Sequence, residues 1–210
     1  MAKKQPEGAL ATVSYTEGYV DPQKVYDDWS ATYDHDLLNE YGYTAPQIAA
    51  DEFARRVPEK NAVVIDMGCG TGLAGQELRK RGYMRVDGAD ISGGMLAKAG
   101  KLGIYRQLFQ ADLTKRFGLP DGVYDAVLSV GAFGNGHLKA DALPGFVRLV
   151  RPGGFAVVYV NAMPFVAEDY PRSLREFEQA GLLRVELVEA SNYMDALDRP
   201  GRLIVVSRKR

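Results

Sequence analysis

Apolar runs and helical segments alternate along the chain from residue 61 onward, and this alternation restricts the possible folds more than any other feature of the sequence. Runs with strand character occupy residues 62–66, 84–90, 105–112, 124–130 and 154–160. Helical candidates lie between them at residues 73–82, 93–102 and 140–150. Strands that alternate with helices are joined by right-handed crossovers and form a mostly parallel sheet covered on both faces. The sequence therefore predicts an α/β fold with a doubly wound sheet.

The C-terminal part of the chain departs from this alternation. A helix is predicted at residues 171–181, and strands are predicted at 183–189 and 202–208. The connection between these two strands is short and rich in turn residues, and it contains no convincing helix. We therefore expect an antiparallel pair at one edge of a seven-stranded sheet.

Helical patterns also precede the first strand. Asp21 is a candidate N-cap with Pro22 at the first helical position. Large apolar residues then recur every fourth position, at Val25, Trp29, Tyr33 and Leu37. This spacing predicts an amphipathic helix that Gly42 interrupts, followed by a second helix at about 45–57 that stops before Pro58.

The pattern predicts three parts within a single domain. Residues 1–20 lack clear periodicity and are expected to form a flexible lead-in. Residues 21–60 are expected to form a helical lid, and residues 61–210 the ligand-binding core. The alternative to a lid is a structural role, in which the aromatic residues of this helix only pack on the sheet.

A glycine-rich loop follows the first strand in the stretch VVIDMGCGTGLAG, residues 63–75. Ligands of a doubly wound sheet bind outside the carboxyl ends of its strands, where this loop is expected. Gly68, Gly70 and Gly72 let the backbone approach a ligand closely. A dinucleotide site usually has the spacing G-x-G-x-x-G, whereas here the spacing is G-x-G-x-G after Asp66. A carboxylate at this point favours an ammonium group over a pyrophosphate.

Acidic residues end three successive predicted strands: Asp66, Asp90 and Asp112. Asp90 follows the glycine loop by about 20 residues, a position from which a carboxylate can accept hydrogen bonds from ribose hydroxyls. Two other roles stay open, since Asp90 can cap the next helix and Asp112 can cap a turn. Three acids at the ends of neighbouring strands nevertheless predict one nucleoside-sized site.

The stretch from Asp66 to Gly72 resembles the D/E-x-G-x-G-x-G motif of class I S-adenosylmethionine-dependent methyltransferases. YDAVLSV and RPGGFAVV are also typical of these enzymes. The N-terminal YDDWSATYDHDL and GYTAPQIAADEF resemble a branch that includes the methyltransferase-like protein of the Williams–Beuren region and its bacterial relatives. The resemblance covers residues 20–210, and it implies a Rossmann-like fold with S-adenosylmethionine as cofactor and S-adenosylhomocysteine as product.

The resemblance also implies roles for individual residues. In the family, the acid matching Asp66 interacts with the amino group of the methionine part of the cofactor. The acid matching Asp112 binds the adenine amine, and Leu113 flanks the ring. The full set of expected cofactor-binding residues is Tyr33, Asp66, Gly68, Cys69, Gly70, Gly72, Asp90, Ile91, Met95, Asp112, Leu113 and Ser129.

The acceptor site is expected near the glycine-rich segment after the fourth strand, residues 129–144. His137 in this segment is a candidate general base, although it can equally be a surface histidine. The residues expected to face the acceptor are Trp29, Asn135, Asn161 and Tyr193. One cysteine and two histidines predict no metal site.

Composition restricts the partners. The formal charge of −1 provides no overall basic field for nucleic acid, and no apolar stretch approaches the roughly 20 residues that span a bilayer. We therefore expect a cytoplasmic enzyme, monomeric or homodimeric, that methylates a small molecule and contacts neither nucleic acid nor membrane. The alternatives are a protein methyltransferase, an NAD-dependent oxidoreductase and a cofactor-binding regulator without catalysis.

Overall fold

The computed structural model of the chain describes residues 7–8, 10–11, 21–134, 138–197 and 199–209. Seven strands form one sheet in the order β3-β2-β1-β4-β5-β7-β6. Their bounds are β1 Val63–Met67, β2 Arg85–Asp90, β3 Tyr105–Gln110, β4 Tyr124–Phe133, β5 Val150–Asn161, β6 Arg184–Asn192 and β7 Pro200–Ser207. β7 is antiparallel to both β5 and β6, and the other neighbours are parallel. The predicted fold class and the antiparallel edge are confirmed.

Helices cover both faces of this sheet. Their bounds are α1 Pro22–Trp29, α2 Tyr33–His35, α3 Ala45–Arg56, α4 Leu73–Lys80, α5 Gly93–Lys101, α6 Leu143–Val147, α7 Ala162–Ala167 and α8 Tyr170–Gln179. A π-helical turn, Asp36–Glu40, continues α2. Helix α7 was not predicted from the sequence, because its six residues are too few to show a helical period.

The prediction of one continuous helix as far as Gly42 was wrong, because the chain turns between α1 and α2. Asp21 does cap α1 as predicted, since its side chain accepts hydrogen bonds from the amides of the first turn. After Trp29 the backbone tightens, and the Ser30 hydroxyl donates to the Asp27 carbonyl at 2.8 Å. Asp36 then accepts hydrogen bonds from the Trp29 indole and from the Thr32 hydroxyl, at 2.7 and 2.9 Å. These side chains hold the turn between α1 and α2. The four-residue spacing of the apolar residues therefore spans two separate helices.

Alternation along the strands divides the core into two apolar clusters, one on each face of the sheet. In β1, Val64 packs on one face with residues of α3 and α4. Ile65 packs on the other face with residues of α6 and α8. Because side chains of a strand alternate with period two, neighbouring residues of β1 face different surroundings.

Strand β4 extends to Phe133, three residues beyond the predicted end at Val130. Its pairing with β5 shifts register between Val130 and Phe133, and Gly131 in this bulge has a φ of +78°. Glycine adopts this backbone conformation without the steric cost that other residues incur. Residues 131–133 were predicted to belong to a loop, and the structure instead places them at the end of a strand.

Among the described residues, no helix is both long enough and apolar enough to cross a membrane.

Candidate functional site

A cavity lies at the carboxyl ends of the central parallel strands, between the sheet edge and the N-terminal helices. The residues that form its wall are Tyr26, Tyr33, Gly68, Gly70, Asp90, Ile91, Met95, Asp112, Leu113, Thr114, Val130, Gly131, Ala132 and Leu138. Parallel strands present their carboxyl ends along the same edge, which is why loops so distant in sequence meet here.

The glycine loop forms one wall of this cavity. Gly68 has a φ of +77°, and a Cβ there would lie 2.5 Å from the Cβ of Ala132 in the β4 bulge. Gly70 has a φ of +52°, and a Cβ there would meet no protein atom within 4 Å. Gly68 therefore permits the contact between the loop and β4, whereas Gly70 keeps open the space that a ligand would occupy.

Asp90 stands at the end of β2 with both carboxylate oxygens oriented by backbone amides. Its Oδ2 accepts from the Gly70 amide at 2.8 Å, and its Oδ1 accepts from the Ser92 amide at 2.9 Å. Burial raises the pKa of Asp90 above its usual value. The alternative role considered for Asp90, the cap of α5, belongs to Ser92, whose hydroxyl accepts from the Met95 amide. Because a carboxylate has about four acceptor positions, Asp90 retains acceptor capacity beyond these amide donors.

Asp112 lies two residues beyond the end of β3 and lines the cavity. It also caps a turn, because its Oδ1 accepts from the amide and the hydroxyl of Thr114 at 3.0 and 2.6 Å. The hydrogen bonds from Thr114 and the ion pair with Lys115 lower the pKa of Asp112. Both roles considered for this residue, turn cap and cavity residue, are thus present together.

Asp66 does not reach the cavity wall. It is fully buried, on the face of β1 that carries Val64, and the Tyr105 hydroxyl donates to its Oδ2 at 2.8 Å. Its Oδ1 makes no hydrogen bond of normal geometry with the described part of the chain. Burial raises the pKa of Asp66 to about 7, although the hydrogen bond from Tyr105 opposes the shift. The three acids therefore do not converge as the sequence predicted, since only Asp90 and Asp112 face the cavity.

Two other predicted residues of the glycine loop are not part of the main cavity wall. Cys69 is buried and lines a smaller adjoining cavity together with Tyr33 and Tyr43. Burial raises the pKa of the Cys69 thiol, which disfavours the reactive thiolate form. Gly72 is the N-cap of α4, with a φ of +100°.

Several predicted site residues lie away from the main cavity. Ser129 is fully buried, and its hydroxyl donates to the Met67 carbonyl at 2.7 Å. Trp29 is buried against Tyr33 in an edge contact with the ring centroids 4.7 Å apart. Tyr193 is buried and packs on Tyr159.

The remaining acceptor-site predictions have different outcomes. Asn161 ends β5 and is the N-cap residue of α7, and it is not part of the cavity wall. Asn135 and His137 lie outside the described residues, so their predicted roles stay predictions.

The cavity wall also contains residues that sequence reasoning missed. Tyr26 and Thr114 were not predicted at all, whereas Val130, Gly131, Ala132 and Leu138 belong to the segment 129–144 expected to form the acceptor site but were not predicted individually. Tyr26 lies one residue after Val25 in the apolar stripe, and its proximity to the cavity depends on how α1 docks. Gly131 and Ala132 face the cavity through the β4 bulge, which no local sequence signal marks.

These features fit an adenosyl ligand better than a metal ion. Gly70 leaves open space, Asp90 has free acceptor capacity, and Ile91 and Met95 supply apolar surface next to it. The described residues include no cluster of three or more potential metal-ligating side chains.

Comparisons with known proteins agree with this geometry. Residues 65–158 match the profile of a family described as "Methyltransferase domain". Methyltransferase-like protein 27 of Homo sapiens is 34% identical over 163 residues, which are 75% of this chain and 66% of that protein. The S-adenosyl-L-methionine-dependent Diels-Alderase iccD of Talaromyces variabilis is 27% identical over 166 residues, which are 69% of this chain and 56% of that protein. The chain thus spans between half and two thirds of the length of these curated relatives.

A solved structure supports the fold. Magnesium protoporphyrin IX methyltransferase of Synechocystis, solved with bound S-adenosylmethionine, superposes with a TM-score of 0.65 at 16% identity, covering 92% of this chain and all of that one. At this identity the likeness concerns the fold alone. The family profile and the human relative show that the chain belongs to the class I S-adenosylmethionine-dependent methyltransferases.

Proposed function

We propose that this protein transfers the methyl group of S-adenosylmethionine to a nucleophilic atom of a small molecule by in-line displacement. The observation that carries the proposal is the single cavity wall in which Gly68, Gly70, Asp90 and Asp112 meet. Because the chain spans only part of its curated relatives, the activity of the whole protein is part of this proposal.

The residues of the chain have separable tasks in such a reaction. Asp90, held by the amides of Gly70 and Ser92, accepts hydrogen bonds from the ribose hydroxyls. Asp112 and Leu113 hold the adenine. S-adenosylmethionine supplies, when bound, a methyl group on a sulfonium that is already activated for nucleophilic attack. The protein therefore accelerates the transfer mainly by positioning the two reactants and by excluding water.

The acceptor binds, in this proposal, between the N-terminal helices and the β4 bulge. Tyr26 and Tyr33 contribute aromatic surface on one side, and Val130, Gly131 and Ala132 contribute small apolar surface on the other. A concave, largely apolar space of this kind suits a small organic molecule. A protein side chain entering the same space is the main alternative. Cytoplasmic location and a monomeric or homodimeric state stay predictions from the sequence.

Thermal unfolding with added ligands tests the cofactor part. A ligand present at about 100 times its dissociation constant adds about 2.7 kcal/mol of stability, which for a chain of this size raises the midpoint by about 5–10 °C. We expect this shift with S-adenosylmethionine and with S-adenosylhomocysteine, and no shift with NAD. A shift with NAD alone would overturn the proposal in favour of an oxidoreductase.

Turnover is measured separately, by incubating the protein with methyl-labelled S-adenosylmethionine and panels of small molecules, peptides and RNA. Label in a small molecule supports the proposal. Label only in peptides or only in RNA would assign that class of molecule as the methyl acceptor instead. Binding of the cofactor without transfer to any panel would indicate a regulator, or chemistry other than methylation.

A further inference from the structure

Two carboxylates on the N-terminal helices reach across to the loops that form the proposed cofactor site. Asp27 of α1 accepts a hydrogen bond from the Ser92 hydroxyl, and its Oδ1 also accepts from the Gly94 amide at 3.0 Å. Asp34 of α2 accepts a hydrogen bond from the hydroxyl of Thr71 in the glycine loop. These contacts join residues that are 65, 67 and 37 positions apart in the chain.

The contacts of Asp27 and of Asp34 are the two ends of one network that passes through Asp90. Ser92, which donates to Asp27 by its hydroxyl, donates to Asp90 by its amide. Asp90 in turn accepts from the amide of Gly70, the neighbour of Thr71. The network therefore starts on α1, passes through the carboxylate proposed to hold the ribose, and returns to α2 at Asp34.

A further polar contact supports the same arrangement. Lys98 on α5 donates to the carbonyl of Ala31, in the turn between α1 and α2, at 2.9 Å. Both N-terminal helices and the turn between them are thus tied to the loops and helices after β1 and β2. Between these ties lie Tyr26 and Tyr33, which cover one side of the cavity.

We propose that Asp27 and Asp34 are positioning residues that latch a lid, residues 21–40, over the cofactor. This inference rests on the proposed function, because it assigns the regulation of that same site. The latch closes the lid by hydrogen bonds to the two loops that hold the cofactor, and ligand binding and lid closure then stabilise one another.

The chemistry of the contacts suits a reversible closure. A hydrogen bond to a partly exposed group exchanges with water at small net cost, whereas separation of apolar surfaces exposes them to water. The lid is held by these polar contacts and by the burial of Trp29 and Leu37 in the core, so the polar contacts are the part of the closure that can exchange with water at small net cost. Because Asp90 belongs to the same network, a ribose bound to it would hold both loops in the conformation that the latch needs.

The test uses the full chain and S-adenosylhomocysteine as the probe. We expect Asp34→Ala and Thr71→Val each to raise the dissociation constant about tenfold, mainly through faster ligand release. The double variant should be no weaker than either single variant, because each change removes the same hydrogen bond. Asp34→Asn, which keeps an acceptor oxygen, should restore most of the affinity. A matched control is Asp28→Ala on the exposed side of α1, where the Asp28 carboxylate pairs with Lys24.

The single tryptophan of the chain provides a direct signal of the lid, because Trp29 lies on α1. Ligand release followed by Trp29 fluorescence should be faster in Asp27→Ala and Asp34→Ala than in the wild type and in Asp28→Ala. Effects that add in the double variant, or release rates equal to the wild type, would overturn the latch. If the wild type bound neither S-adenosylmethionine nor S-adenosylhomocysteine, the proposed function itself would fail. If the wild type binds the ligand and the variants have the same affinities and release rates as the wild type, only the latch proposal is contradicted.

Discussion

At the scale of single residues, the carboxylate of Asp90 is the group on which cofactor binding should depend most. We predict that Asp90→Ala weakens S-adenosylhomocysteine binding by about 1–3 kcal/mol, because the ribose hydroxyls lose a charged acceptor. Titration calorimetry measures the change. Ser129→Ala is the matched comparison, since Ser129 donates to the Met67 carbonyl away from the cavity and its loss should affect stability and not affinity. Equal affinity losses in the two variants would contradict the assignment.

A second residue-scale prediction concerns Gly70. Gly70→Val places a side chain in the open space beside Asp90 and should abolish cofactor binding. The backbone at φ +52° also costs the variant about 1–2 kcal/mol of stability. Gly103→Val is the control, because Gly103 has a φ of +63° with equally open surroundings and lies outside the cavity wall. It should lose similar stability and keep the affinity, and retained binding in Gly70→Val would place the ligand elsewhere.

At the scale of elements, the turn between α1 and α2 depends on one side chain. Asp36 accepts from the Trp29 indole and the Thr32 hydroxyl, so Asp36→Ala leaves two donors without their acceptor. We predict a loss of about 1–3 kcal/mol from the local stability of residues 21–40, seen as faster amide hydrogen exchange, with Trp29 emission shifted to longer wavelength. Asp28→Ala on the same helix should stay within about 0.5 kcal/mol. Unchanged exchange in Asp36→Ala would show that packing alone holds the turn.

At the scale of the whole molecule, Asp66 should make stability depend on pH. Its pKa is raised by burial to about 7, whereas in the unfolded chain a carboxyl titrates near 4. The folded state therefore binds more protons between these values, and the free energy of unfolding falls as the pH rises from about 4 to about 7. Asp66→Asn imitates the protonated form and should remove this slope.

Urea unfolding at pH 5, 6, 7 and 8 measures this effect. The stability of Asp66→Asn relative to the wild type should increase with pH across this range. Asp112 provides a contrast of opposite sign, because the hydrogen bonds from Thr114 lower its pKa and its contribution is lost only below about pH 4. Parallel curves for the wild type and Asp66→Asn would show that Asp66 is ionised throughout.

The sequence by itself determined the sheet and the edge at which a ligand is expected, the carboxyl ends of the parallel strands. Apolar period, glycine spacing and helix caps are local signals, so the parallel strands, the glycine loop and Asp90 could be predicted from neighbouring residues alone. The same local signals carried the family motif, from which the adenosyl cofactor was inferred. Asp112 was likewise identified from its position after the third strand, and Leu113 from the resemblance to the family.

The tertiary structure alone decided where each side chain points. Asp66 is fully buried on the face of β1 on which α3 and α4 pack, and Ser129 of the neighbouring β4 is buried with its hydroxyl on the Met67 carbonyl. The β4 bulge brings Gly131 and Ala132 to the cavity, and the docking of α1 brings Tyr26. These positions depend on contacts between residues far apart in the chain. Local sequence patterns do not specify such contacts. The cavity wall therefore differs from its prediction.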